Sequence, residues 1–441
     1  MEKEIYKSQI DTINLAKKYL KLKKKSGVET AISPFCDFVV WADCIGNEKI
    51  KLIIKKRLFS IDLIKNFTKE FLGIIINSNY KFISSKIDKK KKYNIIYSYC
   101  SKENFGKDGF FYDRYFNYKS NRKKNTYWFL ISLDNYVPKK MKNISIVYRK
   151  KGALNLINFV KFVLKNLFKK NFLDNTNITV FNSAIFANYF YQAFNNCKFN
   201  LYMPYENRPH QNAVIEVTKR ISKSNKIFGY YHRMPEPFQS EMIYKIKDID
   251  KLYVCSAPQK KVFTKYFSWP SKKLEIIDSI RYSKLTKRKK FIFLPFEIKD
   301  VKSLFKDLKK LLILKHVDIK GFKISIHPLK KNNKNHISLK SLIKNQILVN
   351  SKNKAKKLDA PIIMGEPGSV ASEMLDTTGK VYHISNSHLD IFSQEIWPNI
   401  KVKKLSNSIY EYIKIGKVKL LNKNGKKNNF EKLLKKHQSI N

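Results

Sequence analysis

Two short stretches late in the chain carry groups suited to holding a phosphate. Lys-Ile-Ser-Ile-His-Pro at Lys323–Pro328 delivers His327 to the end of an apolar run, and Pro328 stops strand pairing there. Downstream, Gly-Glu-Pro-Gly-Ser-Val-Ala-Ser-Glu at Gly365–Glu373 follows a second apolar run, Pro361–Met364, and opens a helix. Pro367 and Gly368 make the turn, and Ser369 or Ser372 falls at or near the helix N-terminus. An imidazole, hydroxyls and free backbone N–H groups on strand ends of one sheet suit a phosphate, because a helix start carries unsatisfied donors and partial positive charge. For either stretch alone, an ordinary strand–turn–helix with a chance histidine is an equal reading. Together, in this order, they favour a nucleotide-phosphate site.

A second group lies upstream. In Asn200–Asn212 a strand ends at Glu206, and Asn207 is placed to cap the helix behind it. A carboxylate at a strand's C-terminal edge suits a general base; a helix-start charge that complements the dipole is the equal alternative. Phe228–Pro237 repeats the pattern, with a strand ending in His232-Arg233 and a proline-rich loop. His232 is a second catalytic candidate, and Arg208 and Arg233 are candidates for acceptor or phosphate; a structural hydrogen bond is the plainer role for His232 or Arg233 alone. Glu297, after the run Phe291–Pro295, is placed for ribose or base contact, or for helix capping ahead of Lys299. Glu373 suits ribose hydroxyls, or a capping box with Ser369 or its neighbour.

Other signatures are missing. Asp248-Ile-Asp250 has the DxD pattern of metal-dependent sugar transferases, but its strand follows it instead of preceding it. No HExxH, zinc spacing, GxGxxG, GxxxxGK[ST] or GxSxG occurs, so NAD and ATP readings lack their phosphate loops. No metal and no cofactor is expected.

These residues need strand ends to stand on, and the pattern supplies them. Apolar strands are expected at Tyr93–Tyr99, Thr126–Ser132, Ile144–Tyr148, Asn177–Val180, Asn200–Tyr205, Lys226–Tyr231, Leu252–Cys255 and Leu274–Ile277, with helices at Ala153–Lys169, Asn207–Ser222 and Ala257–Tyr266. A second series has strands at Phe291–Leu294, Lys323–Ile326, Pro361–Met364 and Lys380–Ile384, and helices at Lys299–Leu314, Ser338–Lys344 and Ser369–Asp376. Alternation of this kind implies parallel sheets covered on both faces, an α/β architecture. Ahead of both series, strands Phe38–Trp41 and Ile50–Ile54 and a helix at Ile61–Leu72 are expected; Phe430–Gln438 reads as a final helix. The lysine-rich Lys284–Lys290 divides the chain.

At 441 residues two domains are the natural prior, and 43% hydrophobic content is ample for globular folding. The net charge of +54 suggests a polyanion partner, yet lysine supplies nearly all of it and is spread along the whole chain. Base readout favours arginine, so most lysines read as solvated faces and specific nucleic-acid binding is not expected. Contact with the anionic inner membrane surface fits better, at roughly 1 kcal/mol per lysine near the lipid. Leu154–Phe168 is amphipathic and could lie on a membrane, though a packing helix fits better. The five cysteines (Cys36, Cys44, Cys100, Cys197, Cys255) show no ligand spacing and read as reduced, buried thiols. Met1–Ile5 lacks a signal-peptide core, and no apolar run approaches the roughly 18 residues that span a bilayer. The expected location is cytoplasmic, with peripheral contact to the inner membrane.

The His327-Pro328 pair after a strand, followed by the serine-bearing helix start, resembles the His-Pro and serine motifs of bacterial glycosyltransferases of the GT-B fold, such as sialyltransferases and Kdo transferases, and of related glycerophosphate transferases. Tyr205-Glu206-Asn207-Arg208 and Gly229-Tyr-Tyr-His232 are similar to segments of surface-carbohydrate biosynthesis proteins of O-antigen clusters. Those proteins usually carry Gln where Arg208 stands, and the Asp/Glu-rich base motif of many sialyltransferases is not visible. The resemblance implies two Rossmann-like lobes with a central cleft: residues 1–285 as acceptor lobe, 286–425 as nucleotide-sugar lobe, and 426–441 as a tail helix packing back on the first lobe. It places His327 and Ser369 or Ser372 on the nucleotide phosphate and Glu206 as a base; the residues themselves add Pro328, Gly368, Glu373 and Glu297 to the nucleotide site and His232 to the catalytic one. The implied activity is that of a glycosyltransferase (EC 2.4). It would move a sugar from a nucleotide-sugar, CMP-sugar favoured, to a lipid-linked or surface glycan of the O-antigen or capsule type. A phosphosugar or glycerophosphate transferase is the alternative within enzymes, and a non-catalytic basic binding protein the alternative outside them.

Overall fold

The computed structural model describes residues 2–25, 72, 79–120, 125–150, 160, 161, 164, 178–243, 246–280, 288–327, 330–350, 356–422 and 429–438. The expected elements at Phe38–Trp41, Ile50–Ile54 and Ala153–Lys169 lie wholly or mostly outside this set, as do the Ile61–Leu72 helix, Pro328, Cys36, Cys44 and most of the Lys284–Lys290 divide.

Strand-forming runs of β-branched and aromatic residues build a first sheet. Its strands are β1 (Tyr80–Ser84), β2 (Tyr93–Cys100), β3 (Thr126–Ser132), β4 (Ile144–Arg149), β5 (Phe199–Pro204), β6 (Lys226–Tyr230), β7 (Lys251–Val254) and β8 (Leu274–Ile276). Their order is β1-β4-β3-β2-β5-β6-β7-β8. Only β1 runs antiparallel, against β4; the rest are parallel. Strands β3 and β5 are buried along their whole length, which is why they read as continuous apolar runs. Helix α1 (Glu2–Lys25) precedes the sheet, and α2 (Ile178–Phe194), α3 (Pro209–Ile221) and α4 (Ala257–Lys265) connect its strands.

The second sheet holds β9 (Phe291–Phe293), β10 (Lys323–Ser325), β11 (Ile362–Met364), β12 (Lys380–Ile384), β13 (Ile400–Ser406) and β14 (Ile409–Lys414) in the order β10-β9-β11-β12-β14-β13. The first four are parallel, and β14 and β13 close one edge as an antiparallel hairpin. Helices α5 (Val301–Lys315), α6 (Lys334–Asn350) and α7 (Val370–Thr378) link the parallel strands. Helix α8 (Asn429–Gln438) packs on the first sheet: Phe430 lies against Phe116, Tyr118 and Tyr202. His437 stacks on Phe228 at 3.8 Å and bonds the Tyr202 and Tyr253 hydroxyls.

One hydrophobic cluster runs through both sheets. It includes Ile95, Leu201 and Val254 from the first with Phe293 from the second, Met374 of α7 and Trp397 of the loop before β13. Helix α1 spans the same junction: its stripe Ile5, Gln9, Ile13 and Ala16 is buried, and Gln9 Nε2 donates to the His388 and Ile391 carbonyls at 3.0 and 2.7 Å.

The structure corrects one reading of secondary structure and adds two elements to those expected. Of the strand expected at Asn177–Val180, the described residues Ile178–Val180 are helical and open α2, because Phe186, Phe190 and Phe194 recur at helical spacing and bury one face. A three-residue β-branched start cannot outweigh that face. The charge-rich α1 and the β13–β14 hairpin carry little apolar periodicity of their own and were not expected; tertiary burial of a narrow stripe forms the first, and an edge position permits the lysines of the second. Among the described residues no helix is long and apolar enough to cross a membrane.

Candidate active site

Along the first sheet, β2, β3 and β4 run outward one way, and β5 then starts beside β2 and the chain continues the other way. Between β2 and β5 the chain thus reverses its direction of winding, and crevices open at the carboxyl ends of strands at such a point. Tyr99 stands at the end of β2, Glu206 two residues past β5, and His232 two residues past β6. Because Pro204 pairs with Tyr230, Glu206 and His232 emerge level with each other.

Local bonds hold Glu206 in place. Asn207 adopts a left-handed φ of 57°, and its side chain accepts from the Tyr205 hydroxyl at 2.7 Å and donates to the Glu241 carbonyl at 2.5 Å. The N-cap of α3 is therefore Arg208, not Asn207. Gln211, in the first turn of α3, reaches back so that its Oε1 accepts from the Glu206 and Arg208 amides, both at 3.0 Å. This capping arrangement fixes the chain on either side of the carboxylate.

The Glu206 carboxylate is surrounded by donors. His232 Nε2 lies 3.1 Å from Oε1, Arg208 Nε 3.2 Å from Oε2 and Arg233 Nε 3.8 Å from Oε1. Burial alone would raise its pKa, but His232, Arg233 and Arg208 outweigh that and hold the carboxyl well below the usual range. The Tyr115 ring stands edge-on to His232 at 4.8 Å. His210, bonded to the Tyr97 hydroxyl at 2.7 Å, is pushed down to about 3 by burial and then by Arg208, so it is neutral.

Arg233 divides its charge among carboxylates, with Glu241 at 2.9 Å and Glu236 at 3.2 Å besides Glu206. Glu236 is accordingly not compensated: burial, with repulsion from Glu241, Glu366 and Glu206, pushes it up to about 8 despite Arg233. The loop around it is held by side chains from both halves. The Arg233 and Met234 carbonyls accept from Gln259 and Gln239, both at 3.2 Å. The Pro235 carbonyl accepts from the Ser372 hydroxyl and the Pro237 carbonyl from Trp397 Nε1 at 3.2 Å, both of the second half.

At the second sheet, β9 and β11 are neighbours although β10 lies between them in sequence, a second point where the winding reverses. Gly365, just past β11, has φ +68°, and a Cβ there would come 2.6 Å from Pro295 Cβ. His383, pushed down to about 4 by burial, is neutral and donates from Nε2 to the Gly365 carbonyl at 2.6 Å. Past this turn Gly368 has φ +50° with open space around it. Ser369 is the N-cap of α7, with helical backbone and no cap bond from its side chain, so the capping box with Glu373 does not form through Ser369. Ser372 is fully buried, and its hydroxyl joins the Pro235 carbonyl; this corrects its expected place on a phosphate. His327 is exposed past β10, edge-on to Phe296 at 5.0 Å, with its pKa lowered by partial burial and by Lys330. Glu297 pairs with Lys330 and does not cap α5, whose cap is Asp300.

Of the expected site residues, Glu206, Arg208, His232 and Arg233 therefore form one cluster, and His327 and Glu297 share a second through Lys330. Gly368 and Ser369 begin α7, which Ser372 ties to the first cluster's loop. Sequence reasoning missed Glu236, Glu241, His383 and Asp390. Asp390, pushed up to about 6 by burial and Glu366, bonds Ser385 at 3.2 Å. The signal for Glu236 was the pair of prolines flanking it. Asp250 of the DxD pattern accepts from the Ile227 amide and from Lys219, each at 2.9 Å, a structural role at the start of β6.

No protein-family model matches the chain, and none of the curated proteins matches it. Among solved structures, a glycosyltransferase from Rickettsia africae ESF-5 is distantly similar, with 12% identity and a TM-score of 0.30, over 69% of this chain and 88% of its own.

Proposed function

We propose that this chain is a glycosyltransferase that moves a sugar from a nucleotide-sugar, with a CMP-sugar favoured, to a hydroxyl of a surface glycan. The observation that carries the reading is the Glu206–His232 pair, 3.1 Å apart at the carboxyl edge of the first sheet. The loop behind it bonds Ser372, one turn into the helix that Ser369 begins. A proton-transfer pair thus stands near a helix start suited to a leaving phosphate.

In this mechanism Glu206, held ionised by its cations, accepts the acceptor hydroxyl's proton, and His232 Nε2, 3.1 Å from Oε1, holds the carboxylate in place. The hydroxyl oxygen bonds to the anomeric carbon as the bond from that carbon to the phosphate oxygen breaks. The nucleotide leaves with the bonding electrons, and its charge is met by the Gly368–Ser369 turn, His327 and Lys330. The reading calls on no metal. Arg208, with 43% of its side chain exposed beside the pair, is placed to hold the acceptor.

Thermal-shift measurements against CMP, CDP, UDP and GDP test the reading. Stabilisation by CMP is expected, together with slow release of CMP from a CMP-sugar that Glu206→Gln abolishes. A folded sample that responds to none of the four nucleotides refutes it.

A further inference from the structure

Phe296 is a large apolar side chain left 40% exposed at the carboxyl edge of the second sheet, where the winding reverses between β9 and β11. A single exposed phenylalanine needs no explanation by itself. This one, however, is carried on a turn anchored from several sides. His336, fully buried, donates from Nε2 to the Pro295 carbonyl at 2.9 Å. Asn335 Nδ2 donates to the Ile298 carbonyl at 2.9 Å. Glu297 is paired with Lys330, and Pro295 packs on Gly365 so closely that only glycine fits there. The ring is thereby presented to solvent by a turn with little freedom, the arrangement of a preformed contact surface.

The ring's neighbours define the chemistry. His327 meets it edge-on at 5.0 Å with planes at 81°, and the Lys330 ammonium lies 4.4 Å from its centroid. With the ammonium over one face of the ring, the imidazole edge-on to it and 40% of the side chain still exposed, the site fits a planar, anionic ligand.

We propose that Phe296 is the platform on which the base of the substrate nucleotide stacks, with Lys330 and His327 beside it for the phosphate charge. The assignment rests on the nucleotide-sugar reading and adds to it the residue that holds the base. Stacking on the ring is indifferent to which base is present, because every base has a π face. Discrimination among bases must then come from other contacts.

Calorimetric titration of the full chain with CMP, UMP, GMP and ribose 5-phosphate tests this. Phe296→Ala is expected to weaken each nucleotide roughly ten- to a hundredfold, the range that base–aromatic stacking supplies. Ribose 5-phosphate, which has no base, should bind wild type and variant alike. Phe296→Leu keeps apolar bulk without a π face and should lose as much, whereas Phe296→Tyr should bind like wild type. Unchanged nucleotide affinity in Phe296→Ala, with wild type binding, overturns the platform and leaves the nucleotide reading standing. Loss of ribose 5-phosphate binding in parallel also overturns it, since the damage is then not to stacking. No binding of any nucleotide by folded wild type overturns both.

Discussion

The carboxyl edges of the two sheets carry comparable sets of residues, a carboxylate, a histidine and a cation, but treat them in opposite ways. Around Glu206 the groups are enclosed: its side chain is 18% exposed, His232 5% and Arg233 28%, and one arginine serves three carboxylates. Around His327 the carboxylate and histidine stand in solvent, with Glu297 58% exposed, and only the cation Lys330, which pairs with Glu297, is mostly covered at 19%. Enclosure fixes geometry and drives pKa values apart, from Glu206 held low to Glu236 at about 8. That suits proton transfer. The open edge leaves a ring and a helix start accessible, which suits docking of a ligand that brings its own charge.

Substitutions on either side should break or sharpen this contrast. The largest effect is expected for Glu206→Ala, which leaves His232, Arg208 and Arg233 without their shared anion. Breaking a buried ion pair from one side costs about 3–5 kcal/mol, read as a lowered denaturation midpoint, and release of CMP from a CMP-sugar should vanish with it. A midpoint within error of wild type would mean that the cluster is not enclosed in solution.

An intermediate loss is expected for Ser372→Ala, which strips the buried Pro235 carbonyl of its donor, at about 1–3 kcal/mol. Coupling to the loop should make it non-additive with Glu236→Gln in a double-mutant cycle. Simple additivity would show that the clasp and the Arg233 cluster act separately.

The smallest effect on stability is expected for His327→Ala, about 0.5 kcal/mol or less for an exposed side chain, alongside a clear loss of CMP affinity in calorimetry. Destabilisation as large as that of Glu206→Ala would erase the distinction between the two edges.

Much of this was legible in the sequence. Strands β3 and β12 occupy the residues their apolar patterns indicate, and β2, β5, β6 and β9 differ from the patterns by a residue or two at their ends. Neighbouring strands joined by one helix normally pair, so Glu206 and His232, at the ends of β5 and β6, were readable as a pair from their matching positions. The helix start at Ser369 was readable from Pro367 and Gly368. The charge-rich α1 was not, because only the stripe through Ile5, Gln9, Ile13 and Ala16 is apolar or enclosed, and its partners lie far along the chain.

What the residues determine unaided is which side chains stand at strand ends and which turns need glycine or proline, because these are local matters of periodicity and backbone sterics. Only the tertiary structure decided which ends meet. Tyr99 adjoins Glu206's strand because the winding reverses between β2 and β5, and Pro295 presses on Gly365 because β11 returns beside β9. Ser372 shows the same limit most sharply. Its place in the first turn of a helix marks it for a phosphate, yet burial against the Pro235–Pro237 loop turns its hydroxyl to the other half of the molecule. A hydroxyl bonds whichever acceptor packing brings to it, and that packing is set by residues more than a hundred positions away.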